Sequence, residues 1–172
     1  NTKIKKSVKI YKHSFRVKIN KPFINKSEKF IISKKINSIK PDLILFLSAP
    51  QIYPGTFKKN KNLYYFYKSI FASYLLMLVK IILKSSLKCK IFYPSTFVLN
   101  NIKKFKRLEC YFKAKAEGEK ICNIKDYSSI IYKYRIPQLK SRTNYNILGF
   151  YEGEDISIMD KYYEDFFNKI SS

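Results

Sequence analysis

Apolar residues along this chain fall into blocks whose period changes from one block to the next. Glu28 to Ile39 carries Phe30, Ile31, Ile32, Ile36 and Ile39 close to helical spacing, opened by Asn25-Lys26-Ser27 and stopped by Pro41. Leu43-Ile44-Leu45-Phe46-Leu47 is a continuous run of strand length, the pattern of a parallel strand covered on both faces. Asn62 to about Leu83 reads as a long central helix, Ile91 to Tyr93 as a short strand stopped by Pro94, and Glu109 to Asn123 as a second long helix. Ser129 to Tyr134 is another strand, and from Ile156 an amphipathic helix runs through Met159, Tyr162, Tyr163, Phe166, Phe167 and Ile170. Val8 to Tyr11 is a strand candidate ahead of them all. This alternation predicts an α/β fold with a parallel sheet and right-handed crossovers. At 172 residues a single domain is expected, with residues 151–172 as a helical tail.

Composition refines this picture. The formal charge is +23, which taken alone points to a polyanion as partner. Lys, Asn, Ile, Phe and Tyr are all plentiful, however, as A/T-rich codons would make them, and there are only four arginines, Arg16, Arg107, Arg135 and Arg142. Arginine is the better bidentate phosphate ligand, so nucleic acid is not the expected partner. Residues 150–172 hold six of the twelve acids, and this tail is expected to be a solvated acidic helix. Three cysteines, Cys89, Cys110 and Cys122, without a C-x-x-C suit a reducing, cytoplasmic setting, and His13 alone makes no metal centre. The longest apolar run, Ile70 to Val79, falls short of the roughly 20 residues of a membrane span.

Candidate chemistry lies in Ile91 to Lys120. The strand delivers Ser95 and Thr96 at its carboxyl end, and the helix after it carries Tyr111 and Lys115. An i, i+4 pair lies on one helix face, and a cation there is expected to favour phenolate and lower the tyrosine pKa, making it a usable base.

Ser95, Tyr111-x-x-x-Lys115, Ala116-Glu117-Gly118-Glu119 and then Arg135-Ile136-Pro137 at a strand end resemble the catalytic segment of the short-chain dehydrogenase/reductase superfamily. The likeness is closer to its extended and atypical branches, the epimerase and dehydratase relatives. Ser48-Ala49-Pro50 after the Leu43–Leu47 run resembles the family segment whose small residues let a cofactor approach. The resemblance implies a Rossmann-like domain using NAD or NADP, with Ser95, Tyr111 and Lys115 catalytic. Ser48, Ala49, Tyr111, Lys115 and Pro137 would touch the cofactor. Arg16, with Ser14, stands where the family selects between the two cofactors and would suit NADP, but it reads equally as a solvated cation in a basic stretch. The expected substrate is a small molecule bearing a hydroxyl or carbonyl, with a sugar nucleotide as the default. Val98-Leu99-Asn100 departs from the epimerase loop, as does the short basic connection 100–109, and 140–146 would be a substrate-side loop.

The family's first half-unit, with its glycine-rich turn for the pyrophosphate, has no counterpart: the four glycines, Gly55, Gly118, Gly149 and Gly153, form no Gly-x-x-Gly. The chain is therefore expected to be the C-terminal part of a longer polypeptide, as a start at Asn1 suggests, or else a decayed domain. A homodimer or a covalent continuation with an N-terminal segment would complete it. A non-catalytic Rossmann-like interaction module and a basic nucleic-acid binder are the alternative functions.

Overall fold

The computed structural model describes residues 11–14, 17–48, 50–137, 155 and 157–171, with the backbone alone for 101–104 and 171. Three strands, β1 (Leu43–Leu45), β2 (Lys90–Thr96) and β3 (Ile131–Ile136), form a parallel sheet in the order β1-β2-β3. Helix α1 (Lys26–Ile39) precedes β1, and α2 (Lys61–Lys68) and α3 (Tyr74–Lys84) link β1 to β2. Helix α4 (Glu109–Cys122) links β2 to β3, and α5 (Ile158–Ser171) follows. The expected α/β fold is present. The Val8 strand candidate, apart from Tyr11, and the 140–146 loop lie outside the described residues.

Strand alternation assigns the two faces. Ile44, Phe46, Ile91, Tyr93 and Ile131 pack under Ile32 and Ile36 of α1 and the apolar side of α3. Phe92, Tyr132, Tyr134 and Ile136 point the other way and meet Met159, Tyr162 and Phe166 of α5. The tail is thus not a free acidic helix: its apolar stripe closes the sheet while Asp160, Glu164 and Asp165 stay exposed. A third cluster, Leu63, Phe66, Tyr67, Ile70, Phe71, Cys110 and Ala114, glues α2 to α4.

Two elements differ from expectation. The central helix spans Lys61–Lys84 but is broken by a π-helical turn at Ser69–Ser73. It is long and apolar enough to cross a membrane, yet 72% of its most apolar window is buried inside this domain, as in a core helix. Strand β2 does not stop at Tyr93 but runs through Pro94 to Thr96. Phe92 O accepts from Phe46 N on the β1 side, so by alternation Pro94 also faces that side, where β1 has already ended. Its missing N–H costs nothing there.

Candidate active site

The carbonyl of Pro94, left without a strand partner, accepts Lys115 Nζ at 3.1 Å. This ties the helix lysine to the residue beside Ser95. Thr96 closes the strand by capping the 3-10 helix Phe97–Leu108, its Oγ1 accepting from Val98 N at 3.3 Å. Ser48 and Pro137 follow the carboxyl ends of β1 and β3, the same edge of the sheet, and both are half-buried. Arg16 and Ala49 lie outside the described residues.

Tyr111 and Lys115 share one side of α4, and both meet the same ring. Lys115 Nζ sits 4.2 Å from the Phe71 centroid, and Tyr111 contacts that ring edge-on at 5.3 Å. The π-turn carries Phe71 to this place. Tyr111 also packs edge-on against Tyr67 at 5.4 Å. The expectation of a lowered phenol pKa is not met. Burial raises the Tyr111 pKa, the neighbouring Tyr67 adds to the rise, and the lysine ammonium turns instead toward the Pro94 carbonyl. Burial in turn lowers Lys115 from 10.5 to about 8, with Glu119 opposing the fall.

Glu119, one turn beyond Lys115, was legible in the sequence only as part of the Ala-Glu-Gly-Glu motif. It is 6% exposed and receives Arg135 Nε at 2.9 Å and Nη2 at 2.6 Å, with Lys133 Nζ at 3.7 Å. Burial raises its pKa, but the hydrogen bonds from Arg135, the nearby Ser95 hydroxyl and the charges of Lys133 and Arg135 bring it below the usual carboxylate range. Asn100 accepts the remaining arm of Arg135. Ser95 pairs with Arg135 across the sheet, and its buried Oγ makes no regular hydrogen bond, lying close enough to Glu119 only to bias its charge. The column Tyr111, Lys115, Glu119 at i, i+4, i+8 is the sequence signal that points to this network.

Gly118 leaves the space that brings these elements together. A Cβ there would overlap Tyr93 Oη and come within 2.6 Å of Phe71 O. The small-residue stripe of Ala114 and Gly118 therefore serves contact with the preceding helix and β2. Tyr67 holds the loop after β1, its Oη accepting from Tyr53 N at 2.6 Å and donating to Gln51 O at 3.1 Å.

These environments set the alkaline behaviour of the protein. Lys115, lowered to about 8, is protonated more readily when unfolded, so its contribution to stability grows as pH rises from about 8 to 10.5. Against it stand Cys89 and Cys122, pushed by burial from 9.0 to about 12, and Tyr67 and Tyr134, pushed by burial from 10.0 to about 12. These groups ionise first in the unfolded chain, so their stabilising contribution is lost as pH rises past 9 and 10. Urea midpoints under reducing conditions are expected to change little from pH 8 to 9 and then fall steeply above pH 10. A plateau continuing well above that would contradict the burial described.

No family model and no curated protein sequence matches the chain. Among solved structures, the bulky-bulky ketone specific alcohol dehydrogenase from Comamonas testosteroni is similar, with a TM-score of 0.58 and 11% identity. The match covers 91% of this chain and 61% of that one, so the chain spans less than two thirds of that dehydrogenase. The likeness shows the fold: this chain is an α/β domain with a Rossmann-like three-stranded parallel sheet flanked by helices.

Proposed function

We propose that the chain supplies the acid–base half of an NAD(P)-dependent oxidoreductase that acts on a carbonyl or hydroxyl substrate through Ser95, Tyr111 and Lys115. The observation that carries this reading is the buried, unbonded Ser95 Oγ, one residue from the carbonyl that anchors Lys115, at the carboxyl edge of a parallel sheet. The fold it shares with a ketone-specific alcohol dehydrogenase is consistent with such chemistry.

On this reading Lys115 would hold the ribose at the nicotinamide end of the cofactor, with Ser48 and Pro137 at neighbouring strand ends. The pyrophosphate end needs a glycine-rich turn, which these 172 residues do not contain. Arg16 favours NADP. A bound nicotinamide would supply the donor or acceptor for the hydride at the substrate carbon. Ser95 holds the substrate oxygen. With its pKa raised by burial, Tyr111 keeps its proton at neutral pH and would be the group that gives it to a carbonyl oxygen. The phenolate left behind takes its proton back from solvent, because the Lys115 ammonium, one helical turn away, is turned to the Pro94 carbonyl.

The Phe71 ring, in contact with both Tyr111 and Lys115, favours a second reading, a non-catalytic interaction module. Ketone reduction by the intact protein with NADPH or NADH separates the two. Tyr111→Phe is expected to lower turnover about a hundredfold with little change in the unfolding midpoint. Turnover unchanged by the substitution, or no hydride transfer to any ketone, favours the second reading.

A further inference from the structure

The described part of residues 11–40 holds eight lysines and a single acid, Glu28, which is buried. Lys18, Lys21, Lys26, Lys29 and Lys34 are all exposed. Among them stand large apolar side chains in open solvent: Phe23 is 70% exposed, Phe30 68%, Ile31 48% and Ile19 37%. Phe30, Ile31 and Lys34 form the outward face of α1, opposite the buried Glu28, Ile32 and Ile36. Phe23 leans on Tyr65 of α2 with ring centroids 5.8 Å apart. An open cleft shares Lys18 and Ile19 with this surface, floored by Val17 and Phe66 and rimmed by Asn20, Gln51, Asn60 and Asn62. The exposed acids Asp160, Glu164 and Asp165 lie instead on helix α5, beside Lys161 and Lys169.

Phenylalanines this exposed would lower solubility unless something covers them. A nucleic acid would use the flat rings, but Ile19 and Ile31 offer it nothing to stack against. Aromatic and aliphatic side chains together, among lysines and with no exposed acid in the described part of residues 11–40, match the headgroup and acyl boundary of an anionic bilayer. We propose that the outward face of α1 and the segment before it dock this protein peripherally on an anionic lipid surface, with Phe23, Phe30 and Ile31 entering the boundary.

The test is co-sedimentation of the full chain with phosphatidylcholine vesicles, with and without phosphatidylserine. Binding is expected only with phosphatidylserine and should weaken with salt. Phe23→Ser and Phe30→Ser are each expected to weaken it about tenfold. Lys26→Glu with Lys29→Glu should weaken it further, all with unchanged circular dichroism because these side chains are exposed. The chain has no tryptophan, so Phe30→Trp places a single reporter whose emission should shift to the blue on anionic vesicles. Equal partition to neutral vesicles, binding unaffected by Phe30→Ser, or an unshifted Phe30→Trp would overturn the proposal. So would retention by polyuridylate without vesicle binding, or self-association without vesicle binding that Phe30→Ser abolishes.

Discussion

Gly118→Ala is expected to destabilise the protein by about 3 kcal/mol, even though alanine is the better helix former by about 1 kcal/mol. The methyl group would overlap Tyr93 Oη, lie 3.0 Å from Tyr93 Cζ and lie 2.6 Å from Phe71 O, so no single side chain can swing aside to admit it. Tyr93 is fully buried and its hydroxyl donates to Phe71 O at 3.2 Å, which locks strand, π-turn and helix at one point. Making room by displacing either Tyr93 Oη or Phe71 O would break that bond and leave a buried hydroxyl and carbonyl unpaired, at about 1–3 kcal/mol. Tyr93→Phe removes the atom in the way. The double variant Gly118→Ala with Tyr93→Phe is therefore expected to be more stable than the sum of the single losses predicts. Urea unfolding of the four proteins checks it, and strict additivity would mean that the close approach at Gly118 is not what limits packing there.

The sequence makes the framework legible because single residues announce most element ends. Asn25 caps α1 through Oδ1 to Glu28 N at 2.6 Å, where the sequence shows the Asn-Lys-Ser start, and the continuous run at Leu43 is a parallel strand. It is a short one, Leu43–Leu45, at the end of the described sheet, with Leu45 and Leu47 exposed rather than covered on both faces. Pro94 misled because proline ends a strand only where its N–H would have had a partner, and which side lacks one depends on where β1 stops. The π-turn at Ser69–Ser73 has no local signature. It follows from the contact between this helix and α4, where Phe71 O meets Tyr93 and the Phe71 ring covers Lys115. The candidate site was legible as spacing and not as electrostatics. Tyr111 and Lys115 do share a helix face, but which way a lysine turns depends on the nearest unpaired carbonyl. That carbonyl belongs to Pro94, twenty-one residues away in sequence.

Arg135→Met is expected to cost about 3 kcal/mol at neutral pH, and more than Glu119→Gln. The side chain of Arg135 is 38% exposed and that of Glu119 only 8%, so losing the arginine strands the more deeply buried partner. A lone carboxylate in that position keeps, as its salt-bridge partner among the described residues, Lys133 at 3.7 Å, on a side chain itself 26% exposed. Glu119→Gln removes the charge together with its need for a partner and leaves an amide oxygen that still accepts from the guanidinium. The two variants should also differ in their pH dependence. In the native protein the Glu119 pKa lies below the usual 4.5, so its contribution is present above that pH and is lost as pH falls through the folded value. In Arg135→Met, burial no longer meets the bidentate bond and is expected to raise that pKa. Protonation then relieves the folded state, and the deficit relative to the native protein shrinks as pH falls toward about 4. Glu119→Gln has no such proton to take up, so its own unfolding curve should lose the acid limb that Glu119 contributes. Urea unfolding of the three proteins at neutral and mildly acid pH decides the matter. A deficit in Arg135→Met that stays constant with pH would mean that the carboxylate is solvated, and that Ser95 stands beside no buried charge.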